Sequence, residues 1–230
     1  AVGTVPNNVP HASAKVEKHV KASAESMLSV QPDLVLVPNW MSPDAIGEMR
    51  NMQIPVYVYK TPTTVEEAKA TIHEIAGLLH ASDESMIASM NADLKTVEEL
   101  ANKYSGERPL VAFYSQFGLT GGKGSTFDDM CKYLKVNNAA AQVGLGPFDN
   151  GMREDLIKSN PDIIFIPSVA YTSDGTTPAT VEQLYSDPAL QGVKAISNRR
   201  VFLVDSSQVM SYSQFMTRAM VSMAQNIYSM

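Results

Sequence analysis

Apolar residues in this chain fall into short unbroken runs separated by segments with helical spacing. Leu34 to Val37 and Ile163 to Ile166 are continuous aliphatic runs, the pattern of strands buried on both faces of a parallel sheet. Ile54 to Tyr59 and Arg200 to Val204 read as second strands, each following a helical segment, Pro43 to Met52 and Thr180 to Ala195. Parallel strands need crossover connections, so strand, helix, strand in both halves predicts βαβ units.

The two halves also repeat. Glu25-Ser-Met-Leu-Ser-Val-Gln-Pro-Asp-Leu-Val-Leu-Val-Pro38 aligns without a gap on Glu154-Asp-Leu-Ile-Lys-Ser-Asn-Pro-Asp-Ile-Ile-Phe-Ile-Pro167. Each copy predicts a short amphipathic helix, a Pro-Asp stop and a strand. Pro32 and Pro161 disfavour helix in the residue before them and lack an N–H donor.

Between the copies runs the longest helical stretch. It begins near Thr64, breaks around Ala81 and Ser82, and resumes from Asp83 to Tyr104. Met86, Met90, Leu94, Val97, Ala101 and Tyr104 recur at three- and four-residue spacing, opposite a charged surface that includes Glu84, Asp93, Lys95 and Glu98. At about 1.5 Å per residue the second part extends roughly 33 Å, long enough to join two small lobes. Ser105-Gly106 ends it, and Arg108 to Ser115 opens the next strand. The pattern predicts an α/β protein of two Rossmann-like βαβ lobes joined by one long bridging helix. Residues 1–62 form a short N-terminal lobe, 63–107 a helical segment with the bridging helix at about 83–104, and 108–230 the C-terminal lobe.

Composition narrows the function. Hydrophobic residues make up 44% of the 230 and charged residues 18%, as in ordinary folded domains. The net charge is −6 and no Lys/Arg cluster is present, which argues against nucleic acid as a partner. No apolar run approaches the roughly 20 residues that span a bilayer. The lone Cys131 reads as a buried free thiol. The four histidines, His11, His19, His73 and His80, lack carboxylates at metal-ligand spacing, so no metal site and no cofactor is expected. Most of the thirteen methionines read as core, as at Met216, Met220 and Met223, with Met41 and Met210 in loops. No nucleophile–base pair or carboxylate pair assembles, so catalysis has no candidates.

Several segments resemble the substrate-binding proteins of bacterial ABC importers for iron siderophores, haem and cobalamin. They are the Glu…Pro-Asp-Leu-Val-Leu-Val segment, the long central helix, Gly122-Lys-Gly-Ser-Thr-Phe-Asp-Asp129, Arg153-Glu154…Asn160-Pro-Asp-Ile-Ile164 and Asn198-Arg-Arg-Val-Phe-Leu-Val204. The resemblance implies two lobes bridged by a rigid helix, a metal chelate held in the cleft between them, and delivery to a membrane permease dimer. It also implies an extracytoplasmic location, periplasmic or as a surface lipoprotein, a signal peptide absent from this chain, and a monomer. Members of that family open with a strand and helix that are missing before Val5, so the first lobe reads as short. A small two-lobed α/β enzyme and a non-transport interaction domain are the alternatives, separated from a carrier by turnover and by indifference to small molecules.

Ligands of open α/β sheets bind beyond the carboxyl ends of the strands. In the first lobe those loops carry Asn8, Trp40, Met41 and Lys60; in the second they carry Phe117, Gly118, Tyr171, Met210 and Tyr212. Trp40, the only tryptophan, offers a flat surface for an aromatic chelate. Gly118-Leu-Thr-Gly-Gly-Lys-Gly-Ser125 has the wrong spacing for a nucleotide-phosphate loop, since Lys123 is followed by glycine, and reads instead as a cleft-lining loop. By the resemblance, Glu25 and Glu154, at matching repeat positions, dock on permease arginines. The local reading of both is a carboxylate favoured by the positive end of a helix.

Overall fold

The computed structural model describes residues 18, 20–21, 23–168 and 180–228. The chain divides into two compact units, one up to Thr61 and one from Pro62 onward.

In the first unit, α1 (Ala24–Leu28) leads to β1 (Val35–Pro38), α2 (Pro43–Asn51) and β2 (Val56–Tyr59). The two strands pair in parallel, Val35 opposite Val56 and Pro38 opposite Tyr59. Met27, Val35, Val37, Ile46 and Met49 form the core beneath them. Burial along β1 alternates, with Val35 and Val37 inside and Leu36 and Pro38 half-buried. That alternation departs from the two-sided burial that its unbroken apolar run predicts.

The second unit opens with α3 (Val65–Leu78) and α4 (Glu84–Lys103), broken at Ala81 and Ser82 as the sequence predicts. Thr64 caps α3, its hydroxyl accepting from the Glu67 N–H (3.1 Å), while the Glu67 carboxylate accepts from the Thr63 N–H (2.8 Å). A further free N–H of that first turn, on Val65, donates to the buried carboxylate of Asp129 (2.9 Å). Met90, Val97 and Ala101, the predicted stripe of α4, are buried, chiefly against α11 (Phe215–Tyr228). Asp93 departs from the expected solvated face, because its carboxylate accepts from the hydroxyl of fully buried Thr217 in α11 (2.8 Å). Met216, Met220 and Met223 are wholly buried.

The sheet of this unit contains β3 (Leu110–Ser115), β4 (Gly118–Thr120), β5 (Asn137–Asn138), β6 (Ile163–Pro167) and β7 (Val201–Val204). β3, β6 and β7 run parallel and adjacent; β4 turns back antiparallel on the far end of β3, and β5 pairs its near end. Every residue of β6 is buried, the two-sided burial that its sequence predicts. Removing Phe165 from water is worth about 1.5–3 kcal/mol. The helices are α5 (Thr126–Tyr133), α6 (Ala139–Gln142), α7 (Arg153–Ser159), α8 (Val181–Ser186), α9 (Lys194–Ser197) and α10 (Ser206–Val209). The single helix expected over Thr180 to Ala195 is instead α8, a 3-10 turn at Pro188–Leu190 and α9. Pro188 has no N–H to continue α8, and Asp187 caps the new turn through the Ala189 N–H (2.9 Å).

Candidate functional site

In the first unit the ends of β1 and β2 are tied by Asn39, whose N–H donates to the Tyr59 carbonyl (2.9 Å) and whose side-chain oxygen accepts from the Thr61 N–H (3.0 Å). The Met41 N–H closes a turn on the Pro38 carbonyl (3.0 Å). Trp40 at its apex is 72% exposed and so takes no part in the core of its unit. Met41 is half-buried against that core, and Lys60 is exposed at the end of β2. Asn8 and Tyr171 lie outside the described residues, as do His11 and His19.

In the second unit the carboxyl ends of β3, β6 and β7 stand side by side. Ser115 ends β3 and accepts from the Phe117 N–H (3.1 Å), which shapes the two-residue link to β4 and leaves Phe117 half exposed. Both polar atoms of the Gln116 amide are buried without a hydrogen-bond partner. Ser168 follows β6 and accepts from the Ser206 N–H (3.3 Å). Asp205 follows β7 and caps α10, accepting from the Ser207 N–H (2.8 Å) and the Ser207 hydroxyl (2.7 Å).

Beside these ends lies a concavity of about 160 Å³, lined by Phe113, Phe127, Pro147, Val209, Met210 and Tyr212, with Thr120, Gly121, Ser125 and Thr126 completing it. None of these residues is charged. Its volume falls below the roughly 300–1,000 Å³ of a cleft that encloses a drug-sized ligand. A larger depression, about 460 Å³, lies on α4 and α5 among Leu94, Lys95, Glu98, Lys132, Tyr133 and Lys135, away from the strand ends. Strand-end topology favours the smaller one as the site. Met210 and Tyr212, two of the expected ligand contacts, both line this smaller concavity. Pro147 is a lining residue that the sequence reading missed; Gly146-Pro147, a turn signal ahead of an exposed stretch, was its only local mark.

Gly118 was expected to line the site through a loop, but it begins β4. At φ +95° it faces the Gly151 carbonyl so closely that a Cβ would sit 2.2 Å from that oxygen. That close backbone approach requires glycine at this position. Cys131 is buried as expected, and desolvation, reinforced by Asp128, pushes its thiol far above the ordinary range. His73 does have a carboxylate neighbour, Asp83, 3.0 Å from Nδ1, which the fold supplies across the α3–α4 break. Among the described residues no three His, Cys, Asp or Glu side chains cluster to hold a metal ion.

Glu25 and Glu154 are each the second residue of a short helix, α1 and α7, and both are exposed. Beside Glu154, Arg153 is held by Asp187 (Nη1 to Oδ2, 2.8 Å). Asp187 sits below the usual carboxylate range, first through the Ala189 N–H and then through Arg153. Among the described residues no helix is long and apolar enough to cross a membrane.

Comparison with known proteins adds the lineage. The chain is 24% identical over 165 residues to a cobalamin-binding protein of Halobacterium salinarum, covering 70% of this chain and 44% of the relative. It is 23% identical over 203 residues to the molybdate-binding protein MolA of Haemophilus influenzae, covering 78% and 55%. The chain thus spans about half the length of these curated relatives. Among solved structures, the periplasmic heme-binding protein RhuT from Roseiflexus sp. RS-1, in apo form, superposes with a TM-score of 0.79 at 20% identity, covering 95% of this chain and 86% of that one. That likeness establishes the fold. Residues 3–208 match the model of the periplasmic binding protein family, and with a match of that extent over this two-unit α/β architecture, the chain belongs to that family.

Proposed function

We propose that this chain is the extracytoplasmic substrate-binding component of an ABC importer, capturing an iron siderophore, haem or cobalamin-type chelate and passing it to a membrane permease. The observation that carries the reading is the uncharged, aromatic and thioether-lined concavity beside the strand ends of the second unit, where Met210 and Tyr212 meet Phe113 and Phe127. A large chelate with an apolar periphery gains from such a surface. A small oxyanion such as molybdate, the ligand named for one relative, would gain from positive charge, which this lining lacks. Trp40, 72% exposed beyond β1, supports the same reading as a free aromatic face. Glu25 and Glu154 are the acidic docking points for the permease, one per unit. The named relatives are binding proteins, and the reading involves no catalysis.

Titration with ferric haem, cyanocobalamin, a ferric hydroxamate siderophore and molybdate, followed by Trp40 emission and equilibrium dialysis, tests it. Saturable binding of one of the chelates is expected. Binding of molybdate alone, or of none of the four, would remove the reading.

A further inference from the structure

The glycine-rich run after β4 is not a phosphate loop, and it frames the concavity instead. Thr120, Gly121, Ser125, Thr126 and Phe127 make up half of the lining. Three of the four residues from Gly121 to Gly124 are glycine, and Gly121 and Gly124 stand at φ 78° and 85°, where glycine alone is at ease. A run of this composition has many conformations open to it and few side chains to choose among them. Its shape must therefore come from bonds that other residues make to its backbone.

On one side the Lys123 N–H donates to the Leu145 carbonyl (2.8 Å). On the other, one oxygen of the Asp128 carboxylate accepts from the Gly124 N–H (2.9 Å), and Asn138 Nδ2 donates both to the other oxygen (3.0 Å) and to the Gly121 carbonyl (2.8 Å). The Asn138 side-chain oxygen is engaged as well, accepting from the Ala140 N–H (3.0 Å) and the Ala141 N–H (3.4 Å) at the start of α6. A primary amide has two donors and two acceptor positions, and here all of them are used. Aspartate would keep the shape without the donors, and serine would keep a capping oxygen without the reach. We propose that Asn138, 17 residues beyond Gly121 and outside the lining, is a positioning residue for ligand capture. Its amide holds the glycine run in the one shape that presents Thr120, Ser125 and Phe127 to the chelate. Freed of Asn138, the run samples other shapes, and apparent affinity falls by the fraction of time that the competent one is present. This deepens the proposed function and rests on the second unit receiving a chelate.

The test is equilibrium dialysis of the whole chain with ferric haem, cyanocobalamin and a ferric hydroxamate siderophore, beside thermal melting and hydrogen exchange over residues 118–127. Asn138→Ser keeps an oxygen to cap α6 and loses both bonds to the loop side. It is expected to melt close to the parent, to exchange the Gly124 N–H faster, and to bind the chelate that the parent takes about tenfold more weakly. Asn138→Asp also keeps the cap but sets a second carboxylate against Asp128, and should weaken binding at least as much. Adding Asp128→Asn to Asn138→Asp restores a donor between the two positions and should recover most of the affinity, a rescue that general loss of stability does not produce. Parental affinity in Asn138→Ser would overturn the proposal while leaving the proposed function standing. A double variant as weak as Asn138→Asp alone would overturn it too, as would an Asn138→Ser chain that no longer folds, since Asn138 would then serve stability alone. A parent that binds none of the three chelates would remove this proposal together with the proposed function.

Discussion

Gln31 and Asn160 occupy the same position in the two repeats, and both adopt the left-handed backbone conformation, at φ 47° and 50°. Each is the last residue before the Pro-Asp stop; Asn160 directly caps α7, whereas Gln31 follows α1 after Ser29 and Val30. Asparagine enters this region more readily than most residues, whereas glutamine gains nothing there. Gln31→Gly should therefore stabilise the first unit by about 0.5–1 kcal/mol. Asn160→Ala should cost about 1–2 kcal/mol, because the Asn160 side-chain oxygen also accepts from the Lys194 N–H (2.9 Å) at the start of α9. Denaturant melts of both variants check the pair, and a stabilised Asn160→Ala would contradict the account.

Gln116 offers a second stability test. Its amide is buried with neither polar atom bonded, an arrangement that costs about 1–3 kcal/mol. Gln116→Leu, of similar size, should raise the melting temperature. A loss of stability would mean that the amide is satisfied in solution, by water for example. Measured beside chelate affinity, the same variant shows whether this amide also serves the ligand.

Much of this fold could be read from the chain because its signals are local. The unbroken apolar run Ile163 to Ile166 is buried throughout β6, the methionine stripe of α4 packs inward, and the helix break falls at Ala81 and Ser82. What was missed depends on partners far away in sequence. β4 exists because Leu119 pairs with Gly151 as well as with Tyr114, and no propensity in Gly-Leu-Thr announces it. The alternating burial of β1 depends on what packs against each face of its sheet, which a four-residue run cannot reveal. Strand-end logic points to Met210 and Tyr212, which line the concavity, whereas Pro147 reaches it through the close approach of segment 145–151 to Gly122.

The contact between Thr217 and Asp93 joins α4 and α11, whose facing residues Met90, Val97, Met216 and Met220 belong to one apolar core. Thr217→Val removes the donor and leaves the carboxylate without it, at a cost of about 1–3 kcal/mol. Asp93→Ala should cost a similar amount, and the double variant less than the sum of the two. Strict additivity in that cycle would show that the bond contributes nothing.

Acid should act on the pair of Arg153 and Asp187. The folded-state pKa of Asp187 is depressed, so its stabilising contribution is present above the ordinary aspartate value and is lost as pH falls through the lower folded value. Carbon-detected titration of the Asp187 carboxyl should give a midpoint below that of a model aspartate. Arg153→Ala should move it part of the way back, since the Ala189 N–H remains as the larger cause. A midpoint at the ordinary value in the parent would show that the pair does not persist in solution.

Arg153 also bears on docking, because it is the cation next to Glu154. With its guanidinium held by Asp187, the Glu154 carboxylate presents its charge at an exposed helix start, as Glu25 does in the other repeat. Exposed charges of this kind steer and orient an encounter more than they add affinity. Glu154→Arg and Glu25→Arg should each leave chelate affinity nearly unchanged and abolish ligand-dependent stimulation of the permease ATPase in reconstituted membranes. Asp187→Ala should give a milder loss, as the released Arg153 screens its neighbour, and Arg153→Ala in the same chain should restore stimulation. If both charge reversals stimulated the permease as well as the parent does, the two glutamates would act only on their own helix dipoles, and the docking role would be wrong.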